Sequence, residues 1–228
     1  MKSLLLLIIP LLVVFRSQSK RLINLPIAFQ LVLGNFSLLL NDTSNLPQTN
    51  ENLNIETLKF YISKVQLYQI DSLAFEEQLS FHLIDISNPS SLKFSIKIPK
   101  NLSYNRIQFY MGIDSITNVS GVMGGDLDPI KGMYWTWQSG YINFKLEGKS
   151  KLCKTKNNLF QFHLGGYQIP NSCLQTINLE ALEEHPIFIK MDIEKFIKSI
   201  DLVKLNHIMS PSAEAVKLSE YLVTCFSK

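Results

Sequence analysis

The 228-residue chain has little of what most catalytic and nucleic-acid-binding proteins carry. It contains three cysteines, Cys153, Cys173 and Cys225, and no Cys-x-x-Cys pair. That excludes a thiolate zinc site and a thioredoxin-like redox motif. Histidine is scarce too, with only His82, His163, His185 and His207. The sequence has no Gly-x-Ser-x-Gly elbow, no His-Glu-x-x-His helix and no phosphate loop, so nothing singles out one Ser, His and Asp as a nucleophilic set. Charged residues make up 18%, with no cluster of Lys or Arg. Such a surface offers no electrostatic footprint for nucleic acid or for an anionic membrane. Tryptophan occurs twice, as Trp135 and Trp137.

The long apolar run, Leu4 to Phe15, follows Lys2 and precedes the small residues Ser17 and Ser19. It is too short to cross a bilayer as a helix and has the layout of a secretory signal peptide. Residues 1–19 are therefore expected to be removed, and the protein to be periplasmic or secreted with no membrane span left. No Cys follows the run, which argues against a lipidated N-terminus. Removal takes away Lys2 and Arg16, leaving 20 basic against 19 acidic residues in a chain of 209. That length suits one β domain over residues 20–228. In an oxidising compartment Cys153 and Cys173 are expected to close a 21-residue loop, with Cys225 the odd, buried thiol. The Asn-x-Ser/Thr sites at Asn35, Asn41, Asn101 and Asn118 matter only in a host that glycosylates.

Period two dominates the mature chain. Ile27, Phe29, Leu31 and Leu33 alternate with smaller or polar residues. Leu58, Phe60 and Ile62 share a face, then the apolar phase slips to Val65 and Leu67, the mark of a bulge. Leu79, Phe81 and Leu83 set His82 on the other face, and Leu92, Phe94, Ile96 and Ile98 alternate cleanly. Further strands are expected at Ile107–Met111, Met133–Glu147, Asn158–Leu164, Thr176–Glu180 and Ile187–Ile193. Turn signals such as Asn88-Pro89, Gly165-Gly166 and Pro170-Asn171 punctuate them. The stretch Asn41 to Asn54, rich in Asn, Thr and Gln, reads as an exposed loop. This spacing predicts an all-β, antiparallel β-sandwich. A short C-terminal helix is expected with Ser210 as N-cap, Pro211 at its first position and an apolar stripe of Ala215, Leu218, Leu222 and Phe226. A shorter turn of helix is expected at Glu194–Ser199.

The chemistry concentrates in "GGDLDPIKGMYWTWQSGYINFKLEG", residues 124–148. Asp114, Asp126 and Asp128, with Gly121 and Gly132, read as loop-shaping residues, since Asp caps tight turns and Gly permits positive φ. A calcium site there would lack the EF-hand ligand spacing. On a strand, residues two apart point the same way, so Trp135 and Trp137 are expected to form one aromatic patch. That patch is either sandwich core or the border of a metal or redox site. His82 and His163 each sit in a strand facing away from bulky apolar neighbours. With the thioethers of Met111, Met123, Met133 and Met209, imidazoles in a chain without thiolate pairs suit copper better than a hard cation.

The run "IQFYMGIDSITNVSGVMGGDLDPIKGMYWTWQSGYINFKLEG" resembles the signature of the MbnP-like family, exported copper-binding proteins related to the methanobactin partner protein. "LKFYISKVQLYQID", "FHLIDISNPSSL", "FQFHLGGY" and "HIMSPSAEAVKLSEYL" agree with it in order along the chain. The resemblance implies an all-β copper-binding protein that sequesters or delivers copper and is not itself an enzyme. It also implies a dihaem cytochrome c peroxidase-like partner, which in some relatives oxidises a tryptophan to kynurenine. Carried onto this sequence, the candidate oxidised residues are Trp135 and Trp137, and the candidate copper ligands are His163, then His82 and His207. His185, beside Pro186 in an acidic loop, is left out. A Trp-x-His arrangement known among relatives stands here as Trp-x-Trp. Two other functions remain open: a metal-free binding or adhesion module that uses the aromatic patch, and an enzyme that uses bound copper.

Overall fold

The computed structural model describes residues 21–42, 53–137, 140–181 and 185–228. The expected signal peptide, all but the edges of the Asn-rich loop, and both residues that follow Trp137 lie outside them. The strands are β1 (Leu22–Leu33), β2 (Phe36–Ser37), β3 (Leu53–Gln69), β4 (Ser72–Glu76), β5 (Phe81–Asp85), β6 (Lys93–Pro99) and β7 (Arg106–Met111). They continue as β8 (Tyr134–Trp135), β9 (Gly140–Ser150), β10 (Leu159–Gly165), β11 (Gln175–Glu180), β12 (Ile187–Asp192), β13 (His207–Ile208) and β14 (Phe226–Ser227). Among the described residues three α-helices interrupt them: α1 (Ser115–Val119), α2 (Ile193–Lys198) and α3 (Ala213–Val223).

Two sheets face each other. The smaller runs β14-β12-β1-β2 with β6 also on β1; the larger runs β11-β7-β3-β9-β10-β13 with β4 and β5 on β3 and β8 on β9. The all-β expectation holds, but the sheets are mixed and not strictly antiparallel. β1 pairs with β12 in parallel, Ile27 opposite Ile187, and β10 pairs with β13 in parallel, Gln161 opposite His207. Strand alternation fixes pleat and face; it carries no record of direction.

Between the sheets lies the main core. Leu25, Ile27, Phe29 and Leu31 of β1 face Leu58, Phe60 and Ile62 of β3, Phe109 of β7, Phe144 of β9 and Phe160 and Phe162 of β10, all buried. Phe29 meets Phe60 and Phe109 edge to face at 5.9 and 6.2 Å, a geometry that adds to area burial. The phase slip in β3 is a true bulge: the register against β7 shifts between Ser63 and Gln66, and Lys64 takes a positive φ of 50°.

α3 is capped by Ser212, whose side chain accepts from the Ala215 N–H, so the expected Ser210 cap and Pro211 start are displaced by two residues. Ala215, Leu218 and Leu222 bury its apolar stripe as expected, with Phe226 buried just beyond it in β14. α2 fills the expected short helical turn after β12, capped by Asp192. Among the described residues no helix is long and apolar enough to cross a membrane.

The expected Cys153–Cys173 disulfide is not formed. All three cysteines are free and buried. The Cys173 thiol is engaged with Ser219 and the Gly165 backbone, and burial pushes it up to about 11. Cys225 lies against the Tyr221 carbonyl, and burial pushes it up to about 12.

Candidate functional site

The larger sheet has a second, smaller core on its outer face. Loop 112–137 folds back over that face and buries Ile113, Leu127, Met133 and Trp135 against Tyr61 of β3, Leu83 of β5 and Tyr141 of β9. The loop's acids and glycines sit at its turns. Asp114 caps α1 by accepting from the Thr117 N–H at 2.7 Å, and Gly121 turns the chain at φ 85°. The Asp126 carboxylate accepts from the Leu83 N–H at 3.0 Å and from Lys131 Nζ at 2.8 Å. Its carbonyl receives the Tyr61 hydroxyl at 3.0 Å. Asp128 accepts from the Ile130 N–H, and Gly132 ends that turn at φ 74°.

Met133 to Glu147 is not one strand but two, β8 and β9, an antiparallel pair with Trp135 opposite Gly140. The tryptophans therefore part company. Trp135 is 6% exposed and Trp137 is 64% exposed, although their ring centroids remain 5.8 Å apart. One indole lies under the loop and the other stands in solvent against it.

His163 sits on this same outer face. Its neighbours Phe162 and Leu164 point into the main core, so alternation turns the imidazole the other way, opposite Lys145 of β9. The expectation that it leaves the packed face holds, yet it is not left in water: His163 is 4% exposed. Its Nε2 lies 2.7 Å from Oε1 of Glu147, and that bond is the main reason the Glu147 carboxyl is lowered to about 2. A carboxylate accepts only, so Nε2 carries the hydrogen. In the neutral ring Nδ1 then offers a lone pair, and Nδ1 is buried with no hydrogen-bond partner.

Trp135 stands beside it. A Cβ added to Gly165, two residues along β10 from His163, would come within 2.8 Å of the Trp135 ring. Only glycine lets the indole lie that close to the strand. The Trp135 Nε1–H is also buried without a partner, as is Nδ2 of Asn143 on β9. Buried polar atoms are almost always paired, so the covered face concentrates three exceptions: one acceptor and two donors.

The remaining candidates separate. His82 is not brought to His163: it lies opposite Ile62, on the inner face, three strands away. Its ring stacks on Phe94 at 3.6 Å and its Nε2 contacts Glu77 at 2.8 Å. Alternation correctly set His82 apart from Phe81 and Leu83, but those two cover the outer face, so the opposite side is the sandwich interior. His207 is exposed on β13, opposite Gln161 and so two register positions from His163. Met209 lies two residues beyond it; continuing the register one residue past Phe162 and Ile208 sets Met209 against His163. Met111 is in the main core and Met133 in the smaller one. His185 lies at the far loop, its ring 6.2 Å from Tyr104. Among the described residues no three His, Cys, Asp or Glu side chains form a cluster that could hold a metal.

The sequence model of the MbnP family matches residues 23–210. This protein is a member of the MbnP family. The matched span takes in the larger sheet, all of the smaller one but β14 and the first residue of β1, the loop and His163. Among solved structures, MbnP from Methylosinus trichosporium has a similar fold, with a TM-score of 0.58 at 13% identity over 85% of this chain and 83% of that one. A search of curated proteins finds no match. Glu147 and Asn143 were not anticipated in this MbnP-family site. Glu147, four residues beyond Asn143 on the same strand face, carried no signal in spacing, since its role depends on β10 pairing beside it.

Proposed function

We propose that this MbnP-family protein is an exported copper-binding protein that sequesters or delivers copper, and not an enzyme. One observation carries the reading: the buried, unpartnered Nδ1 of His163, held in one orientation by Glu147 and lying beside Trp135. A carboxylate on the far nitrogen of an imidazole fixes the tautomer and raises the basicity of the nitrogen that faces a metal. His163 would be completed by the neighbouring His207 or Met209, a donor set that favours copper over hard cations. His82 has no part in it.

The reading includes a dihaem peroxidase-like partner able to oxidise Trp135 or Trp137 to kynurenine. Trp135 is the indole beside His163, and Trp137 is the one a partner reaches first. Intact mass of protein from its native compartment tests the modification, since kynurenine exchanges one carbon for one oxygen.

Copper content and affinity of the purified protein test the whole reading. His163→Ala is expected to weaken copper binding at least tenfold, about 1.4 kcal/mol, and His185→Ala to leave it unchanged. If both variants bind as the parent does with the fold intact, the site lies elsewhere. A metal-free binding module is the second reading, favoured by the apolar side chains of Ile116, Val119, Val122, Ile130 and Trp137 standing exposed on the same loop. A copper-free parent that nonetheless captures a protein or glycan through that loop would select it.

A further inference from the structure

His82, displaced from the copper reading, lines a cleft of about 430 Å³ at the rim where the two sheets meet. One wall is β5 and the turn after it, with Leu83, Asp85, Asn88, Ser90 and Ser91; the other is loop 126–131 and the start of β6. Three ammonium groups reach it, from Lys59, Lys93 and Lys131, against two carboxylates, Asp85 and Asp126.

Both carboxylates are already engaged. Asp85 takes Lys59 Nζ at 2.9 Å and the Ser87 N–H and hydroxyl, and Asp126 takes Lys131 and the Leu83 N–H. Lys59 donates in addition to the Lys131 carbonyl at 3.2 Å. The acids thus pin two of the lysines at fixed places in the wall, while Lys93 makes no ion pair among the described residues. The result is a pre-formed concavity with one positive charge in excess and a wall made by His82 stacked on Phe94, their planes 6° apart. Small-ligand sites combine this range of volume with an apolar wall and a few fixed polar groups.

We propose that this cleft binds a small organic anion, a carboxylate or phosphate ester, with its oxyanion at Lys93 and Lys131 and its body against the His82–Phe94 wall. The proposal is independent of copper binding: the cleft is lined by neither His163 nor Glu147 nor Trp135, and either can fail alone.

The test uses the full mature chain, uniformly labelled for amide NMR and titrated separately with benzoate and with inorganic phosphate. Saturable shifts confined to residues 82–94 and 126–131 are expected, with benzoate the tighter probe because it also covers the wall. Lys93→Gln should raise the dissociation constant at least tenfold, and Lys204→Gln, on a distant exposed turn, should not change it. Lys131→Gln serves as the second variant should Lys93→Gln alter the spectrum beyond its own strand. Phosphate binding as tightly as benzoate would assign the site to the oxyanion alone and overturn the role of the wall. Shifts that do not saturate at millimolar probe, that spread over exposed lysines elsewhere, or that survive both cleft variants would overturn the site.

Discussion

Glu147 holds His163 by Nε2 at 2.7 Å and so decides which ring nitrogen faces the buried side of loop 112–137. The pair spans neighbouring strands, β9 and β10, and is supported from the side by Lys145, whose Nζ lies 3.8 Å from the same carboxylate oxygen. A hydrogen bond between a carboxylate and an imidazole is stronger than one between neutral groups. Its geometry is set by the sheet, because both residues project from the same face of paired strands.

The acid dependence of stability follows from it. The Glu147 carboxyl is lowered from 4.5 to about 2, with the His163 hydrogen bond the largest cause. A group whose folded value is lowered contributes stability that is complete above its unfolded value and is lost as pH falls toward the folded one. Between about pH 4.5 and 2 the parent should lose stability through this group, and Glu147→Gln should lose less, by at most one proton in the slope. Urea unfolding across that range checks it; parallel curves for parent and variant would separate Glu147 from acid unfolding.

Glu147→Gln also bears on copper. The amide oxygen can still accept from Nε2–H but carries no charge, so His163 keeps its place and loses the carboxylate's electrostatic support for a bound cation. Copper affinity should fall by a smaller factor than in His163→Ala, within the 10–100-fold range typical of such orienting partners. Competition with a chelator of known affinity gives the ratio.

Gly165→Ala probes the contact that places Trp135. The new methyl would meet the Tyr141 carbonyl at 2.7 Å and the indole at 2.8 Å, closer than such atoms pack, and backbone cannot yield as a flexible side chain can. Overpacking of this kind costs about 1–3 kcal/mol. Denaturant unfolding should show that loss together with a red shift of the buried tryptophan's emission.

The cysteines give a count. Thiol reagent at neutral pH should find almost none in the native protein, since all three are buried and burial raises each thiol, and only thiolate reacts. In denaturant without reductant it should find three. One thiol instead of three would restore the Cys153–Cys173 bridge.

The tryptophans should differ in solution as they do in the fold. Acrylamide should quench one emission component strongly and the other weakly. Trp137→Phe should remove the accessible component and leave the protected one; the reverse would exchange the two indoles.

Much of the fold was legible in the sequence because its strands alternate so regularly. The bulge in β3 showed as a slip from Ile62 to Val65, and His163 declared its face through Phe160, Phe162 and Leu164. Alternation failed where strands are too short to have a period. Trp135 and Trp137 are two residues apart, but β8 ends at Trp135, so the shared face never extends to Trp137. Leu79 is 87% exposed at φ 51°, outside the strand its spacing implied. Of the candidate site, the face of His163 and the turn positions of the loop acids and glycines could be read in sequence. Glu147 and the exclusion of His82 could not, since both depend on which strand lies beside which, and on which side of β3 and β5 the second sheet packs.

The parallel pairing of β1 with β12 has a consequence in time. Val32 lies opposite Asp192, so the strand at the middle of the smaller sheet lacks one of its neighbours until most of the polypeptide has been made. β6 can dock on β1 early, but the other edge of β1 stays open, a row of free amide and carbonyl groups, through the synthesis of the larger sheet. Such distant pairings slow folding because the loop must close before any contact rewards it. The chain is therefore built to remain incompletely folded while it is being made, and its open β1 edge is where a chaperone, or a second unfinished copy, would first find a place to add a strand.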